Sequence, residues 1–262
     1  MTTVLVTGAS GLLGRGLLSR PAASTYRLRA MSRRPGDGDA AEWVRADLVT
    51  SVGLEAAVHG VDVIIHGASA PRHDTRRTDV GGTARLMEVA RRAGVKHVIY
   101  VSIVGIDRIP YAYYRHKLAA EDVVRTGRVA WTIVRATQFH DFMDLQCRRA
   151  TRYPIAAFPT DWLGQPIHVD EFADMLWAQV AAGPVGRAPD VGGPDVLTYG
   201  EILKTWMEGN QMRKPVIRLP IPGRTAAAFR AGRATTPDRA VGRITWRSWV
   251  SARYEGIVLA MR

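Results

Sequence analysis

Near its N-terminus this 262-residue sequence runs from Val4-Leu5-Val6-Thr7 into Gly8-Ala9-Ser10-Gly11-Leu12-Leu13-Gly14. Three glycines between an apolar strand and a helix can expose backbone N–H groups to an anion. Gly8 permits a tight turn, Gly11 lets the backbone approach a pyrophosphate, and Gly14 allows close helix-to-strand packing. The spacing is GxxGxxG and no GK[ST] follows, which excludes a P-loop. Ser32-Arg33-Arg34-Pro35 stands where a second strand would end, the place that discriminates the two nicotinamide dinucleotides. An acid there would hold ribose hydroxyls and repel a 2′-phosphate, whereas two guanidinium groups suit a phosphate by charge and bidentate geometry. These residues point to NADP(H), the bland alternative being that one or both arginines are merely solvated. Farther on, Tyr113 and Lys117 lie four apart in an expected helix, so their side chains share one face.

The elements that must position these groups follow from periodicity. Strands are expected at Val4–Thr7, Tyr26–Ser32, Glu42–Ala46, Val61–His66, Val98–Ser102 and Trp131–Arg135. Between them fall helices at Gly11–Arg20, Leu54–Val58, Asp79–Gly94 and Tyr113–Arg125. Six strands alternating with helices predict an α/β Rossmann fold, a doubly wound parallel sheet with its ligand at the carboxyl ends of the strands. Asp47-Leu48 would then lie beside an adenine, and Gly67-Ala68-Ser69 along the path to a nicotinamide. From Phe139 the chain turns proline-rich, with helices at Glu171–Ala181 and Tyr199–Glu208. The expected organisation is a dinucleotide-binding core over 1–138 and a small, irregular substrate-side lobe over 139–262 that does not fold independently. Ala136 and Thr137 are expected on the cofactor, and Gln138, Phe139 and His140 on the substrate wall, with a helix cap as the plainer role for His140.

The glycine motif, the Ser-Arg-Arg-Pro and the Asp-Leu resemble those of atypical short-chain dehydrogenase/reductases, the NmrA-like NAD(P)H-binding group. So do Val101-Ser102-Ile103-Val104-Gly105-Ile106-Asp107 and Tyr113-Tyr114-Arg115-His116-Lys117-Leu118-Ala119-Ala120-Glu121. The likeness continues through Trp131 to Phe139, Pro166 to Asp174 and Gly192-Gly193-Pro194. It implies that Tyr113 protonates a carbonyl oxygen as hydride arrives, that Lys117 lowers the phenol's pKa and holds the nicotinamide ribose, and that Ser102 orients the carbonyl. Tyr111 and Tyr114 crowd the motif and leave open which phenol faces the cofactor. The group includes reductases, quinone oxidoreductases and silent redox sensors, so an NADP(H)-sensing regulator stands beside the enzyme. Sugar-nucleotide epimerisation or dehydration is a further alternative; it would call for NAD, which Arg33-Arg34 disfavours.

Composition bounds the rest. One cysteine, Cys147, excludes an intramolecular disulfide and makes a reducing, cytoplasmic setting the default. His59, His66, His73, His97 and His116 are scattered, and no metal site is expected. No segment reaches the roughly 18 apolar residues of a membrane span, so a soluble protein with no membrane partner is expected. The net charge is +12, and residues 224–262 hold eight basic and two acidic residues, half the excess. Without a run of five basic residues or an aromatic ladder, this reads as solvated arginine rather than a nucleic-acid footprint. The expected activity is hydride transfer from NADPH to a small apolar carbonyl or quinone.

Overall fold

The computed structural model describes residues 1–34, 36, 39–71 and 74–260, without the side chains of 255–260; Pro35, His73 and Arg262 lie outside them. Strands buried on both faces read as continuous apolar runs, because helices cover both sides of a parallel sheet. β1 (Thr3–Thr7) and β4 (Val63–His66) are buried along their whole length for this reason. With β2 (Arg27–Ser32), β3 (Glu42–Arg45), β5 (His97–Ile103) and β6 (Trp131–Ala136) they build one sheet in the order β3-β2-β1-β4-β5-β6. β1 pairs in parallel with β2 on one side and β4 on the other, so the order of connection reverses there. That reversal is the switch point at which doubly wound sheets bind ligands. The register aligns Thr7, Met31, His66 and Tyr100 at the carboxyl edge.

The connecting helices are α1 (Leu12–Ser19), α2 (Leu54–Val58), α3 (Thr83–Arg92) and α4 (Ala112–Thr126). Leu5, Ile64, Val98, Tyr100 and Ile133 of the sheet share a core with Leu54 of α2, Leu86 and Met87 of α3 and Val124 of α4. The rest of the chain forms α5 (His140–Ala150), β7 (Ala156–Phe158), β8 (Leu163–Gly164), α6 (Val169–Ala182), β9 (Gly186–Arg187), β10 (Leu197–Thr198), α7 (Tyr199–Gly209), β11 (Val216–Arg218), α8 (Arg224–Arg230) and α9 (Trp246–Ala260).

By packing, the chain divides into two units. The first is Met1–Ser102, Tyr111–Arg135 and Phe172–Pro189, and the second is Ile103–Pro110, Ala136–Glu171 and Asp190–Arg262. The units interleave along the chain, so neither is one continuous stretch. The sheet has seven strands, not the six expected: β9 pairs in parallel with β6. Two residues are too few to show a strand period. Most of α6, expected in the C-terminal lobe, belongs to the sheet unit, where Trp177 Nε1 donates to Leu17 O at 3.1 Å and its ring stacks on Tyr26. Arg20 grips Asp174 there with two nitrogens at 2.6 Å. The second unit has its own core, in which Met143 and Cys147 of α5 meet Phe158, Trp206, Trp246 and Trp249. Thr198 and Glu201 form a reciprocal capping box that starts α7.

Candidate active site

The glycine loop has the geometry its sequence predicts. Gly8 has φ +70°, and a Cβ on it would lie 2.9 Å from Ala68 Cα. A Cβ on Gly14 would lie 2.4 Å from Gly8 O and 2.5 Å from Ala9 Cα, so only glycine lets α1 start this close to β1. Ser10, Gly11 and Leu12 lie at the mouth of α1, with Leu13 buried behind them. Ser32, at the end of β2, bonds Ser10 Oγ at 2.8 Å and accepts the Arg34 N–H at 3.2 Å. It thereby ties the glycine loop to the bend that carries Arg33 and Arg34, both exposed to solvent. Asp47 accepts from Val49 N at 2.6 Å and shapes its own turn, while Leu48 is buried in the sheet core. This cradle, closed to any Cβ and open at a helix mouth, fits a dinucleotide pyrophosphate.

Tyr113 and Lys117 share the inner face of α4. Lys117 is 4% exposed; its Nζ donates to Val101 O at 2.8 Å, lies 4.1 Å from the Tyr100 ring centre and stands 4.0 Å from Asp79 Oδ1. Burial lowers its pKa to about 8, against the opposing charges of Asp79 and Glu121. Asp79 is itself buried. Its carboxylate accepts from Ser69 Oγ at 2.6 Å and from Ala70 N at 3.1 Å. Because Ser69 gives its hydrogen to Asp79, the 2.8 Å contact between Ser69 Oγ and Tyr113 must be donated by the phenol. Tyr113, Ser69 and Asp79 thus form one directed hydrogen-bonded line, with Lys117 at its far end.

The resemblance implied a phenol lowered by the ammonium. In this structure burial, then the charge of Asp79, pushes the Tyr113 phenol up instead. Tyr114 is buried against Tyr111 at 5.4 Å between ring centres, so Tyr113 is the phenol on the line. Ser102 is 2% exposed at the end of β5, and its Oγ has no hydrogen-bond partner among the described residues. α4 is anchored through Glu121, one turn past Lys117, whose buried carboxylate takes Arg135 Nε at 2.8 Å and Nη2 at 2.7 Å.

Asp79 was not singled out by spacing. It sits in a stretch of π-helix, Arg76–Gly82, that runs straight into α3 where an ordinary helix from Asp79 was expected. The signal was Gly81-Gly82, a pair that disfavours α-helix. π-turns recur at functional sites. A second line fixes this turn from behind. Ala68 N donates to Thr7 Oγ1 at 3.2 Å, Thr7 Oγ1 meets His66 Nδ1 at 2.7 Å, and His66 Nε2 meets Thr83 Oγ1 at 3.0 Å. Thr83 Oγ1 then donates to the Asp79 backbone oxygen. Only a neutral His66 protonated on Nε2 satisfies the whole line, and burial holds its pKa to about 3.

The remaining expected residues fall in the second unit. Ala136 and Thr137 are buried; Thr137 N donates to Val191 O, and its Oγ1 accepts from Gly193 N. Gln138 and Phe139 are half-buried and paired through backbone with Ile167. His140, expected on the substrate wall, is instead fully enclosed, with its ring 5.7 Å from Trp246, 5.6 Å from Trp249 and 5.9 Å from His168. No cluster of three metal-ligating side chains occurs among the described residues.

Residues 8–182 match the NAD(P)H-binding protein family. The chain belongs to this NAD(P)H-binding family. This family member is 30% identical over 237 residues to the ceramide reductase of Caulobacter vibrioides, covering 84% of this chain and 74% of that one. It is 25% identical over 204 residues to an uncharacterized protein of Mycobacterium tuberculosis; the match covers 76% of this chain but only 22% of that protein. In fold it is similar to an NADPH-dependent quinone oxidoreductase of Escherichia coli complexed with NADPH. The TM-score is 0.79 at 16% identity, over 96% of this chain and 99% of the other.

Proposed function

We propose that this protein is an NADPH-dependent reductase that acts on the carbonyl or quinone group of a small apolar substrate. The directed line Tyr113–Ser69–Asp79, ending at Lys117 in the same unit as the glycine cradle, is the observation that carries this reading. The ceramide named for its relative is an apolar substrate and supports that class. NADPH, when bound, supplies the hydride. The glycine loop and the mouth of α1 receive the pyrophosphate, and Arg33 and Arg34 the 2′-phosphate. The buried Ser102 hydroxyl donates to the substrate oxygen. Tyr113 passes its proton to that oxygen; the Ser69 hydroxyl then turns and gives its own to the phenolate, and is re-protonated by way of the Asp79 carboxylate from the Lys117 ammonium, whose amine regains a proton from solvent.

One observation favours a second reading, an NADP(H)-sensing regulator: the Tyr113 proton is directed at Ser69, and the phenol's pKa is raised. Consumption of NADPH and NADH with a panel of apolar ketones, aldehydes and quinones separates the two. The reductase turns over with NADPH, Tyr113→Phe lowers kcat by about 10²-fold or more with NADPH affinity retained, and Arg33→Ala with Arg34→Ala weakens NADPH but not NADH. Tight NADPH binding with no substrate reduced would install the sensor, and a Tyr113→Phe variant as active as wild type removes the proton donor.

A further inference from the structure

The small β7–β11 sheet of the second unit presents an apolar face to solvent. Its strands run parallel, with Val216 opposite Ala156, Ile217 opposite Ala157 and Arg218 opposite Phe158. Alternation turns Ala156 and Phe158 into the core, where both are buried, and leaves Ile155, Ala157, Ile217 and Leu219 on the other side. Ile155 is 52%, Ile217 55% and Leu219 42% exposed, and Tyr153 just before β7 is 66% exposed. Scattered apolar residues are normal on a surface, but a contiguous set marks a place of contact.

The charge around this face is predominantly positive, although Asp144 pairs with Arg148 at 2.9 Å. Residues 145–160 contain three arginines and no acid, and residues 209–237 contain five arginines, one lysine and no acid. Arg149, Arg152, Arg213 and Arg224 are exposed. Arg152 lies 5.9 Å from the centre of the Tyr153 ring, and Lys214 Nζ donates to the Thr151 and Tyr153 carbonyls rather than to a carboxylate. Asp161 serves both Arg218, at 3.0 Å, and Arg230, at 2.6 Å, so positive charge remains in excess. A second copy of the chain would bring like charges together. Apolar side chains with an interfacial tyrosine inside a basic rim match a phospholipid surface, which offers acyl chains beneath anionic headgroups.

We propose that the β7–β11 face docks the protein on anionic phospholipid. The contact is peripheral, since no helix among the described residues is long and apolar enough to cross a bilayer. It is tested by co-sedimentation of the full chain with phosphatidylcholine vesicles, with and without phosphatidylglycerol, at low and moderate salt. Wild type partitions onto the phosphatidylglycerol vesicles and is released by salt. Arg152→Ala and Arg213→Ala each lower partitioning by about five-fold, and Ile217→Glu lowers it further, while the unfolding temperature of each variant stays near wild type. Equal binding to neutral and anionic vesicles, binding unaffected by all three substitutions, or no binding overturns the proposal. Self-association abolished by Ile217→Glu would overturn it in favour of a second copy.

Discussion

Replacing Asp79 by Asn removes the carboxylate 4.0 Å from the Lys117 ammonium, the larger of the two opposing charges that act on it, the other being Glu121, while keeping the side chain's size. At 4.0 Å and an effective dielectric of about 20, opposite charges attract by about 4 kcal/mol, or about three pKa units. The amide dipole returns part of this, so Lys117 should titrate about two to three units below its value of about 8 and be largely neutral at neutral pH. The chain has only four lysines, Lys96, Lys117, Lys204 and Lys214, so ¹³Cε-labelled lysine gives a spectrum in which each can be assigned by substitution. In wild type the Lys117 resonance should move with a midpoint near 8, while Lys96, bonded to Asp62 at 2.8 Å, titrates above the usual lysine value. In Asp79→Asn the Lys117 midpoint drops, and the Tyr113 phenol drops with it, because the Asp79 charge is a cause of its elevation. A Lys117 midpoint that stays in place or rises would refute the assignment of Asp79 as its counter-charge.

Acid should weaken the fold in a defined window. His66 and His140 are held to about 3 and His97 to about 4 by burial, so between pH 6.5 and 4 the unfolded chain binds protons that the folded chain refuses. Stability then falls with pH by about 1.4 kcal/mol per unit per histidine, which urea midpoints at successive pH values measure; a flat profile would sink the argument. Gly14→Ala puts a Cβ against the Gly8 and Ala9 backbone and should cost about 3 kcal/mol together with dinucleotide binding, so a variant that binds normally would count against the cradle. Glu121→Ala leaves Arg135 charged and buried and should cost about 3–5 kcal/mol in chemical denaturation; a loss below about 1 kcal/mol would mean that the pair does not anchor α4.

The legible parts of this fold are those whose signal is local. β1, the glycine loop and α1 are contiguous, and Gly11 and Gly14 answer to contacts within a few residues, Gly11 with Gly8 and Gly14 with Gly8 and Ala9, while Gly8 packs against the distant Ala68. The shared face of Tyr113 and Lys117 follows from helical spacing alone. The parts that local signal does not reveal depend on distant chain. β9 is two residues stabilised by the edge of β6, and the Trp177 contact that places α6 joins residues 160 apart in sequence. His140 looked like a substrate contact because it follows β6. Its enclosure comes from Trp246 and Trp249, far downstream, for which position along the sheet gives no hint.

The two hydrogen-bonded lines meet at Asp79, and their directions decide what the meeting does. From the carboxylate side come Ser69 and Ala70, with Lys117 beside them. From the backbone oxygen runs Thr83, then His66, Thr7 and the Ala68 N–H. Ala68 is the residue against which Gly8 packs, so the glycine cradle and the acid–base groups touch opposite ends of one rigid set of bonds. A protonated His66 would turn its Nδ1 from acceptor to donor and place two hydrogens between Thr7 and the ring, unless Thr7 withdrew its own. The neutral ring therefore keeps both the Thr7 hydroxyl and the Asp79 turn in register. It follows that the Lys117 charge, set by a carboxylate on that turn, is tied to the geometry of the loop that would hold the dinucleotide, and a side chain added at Gly8 should disturb the Lys117 titration as well as dinucleotide binding.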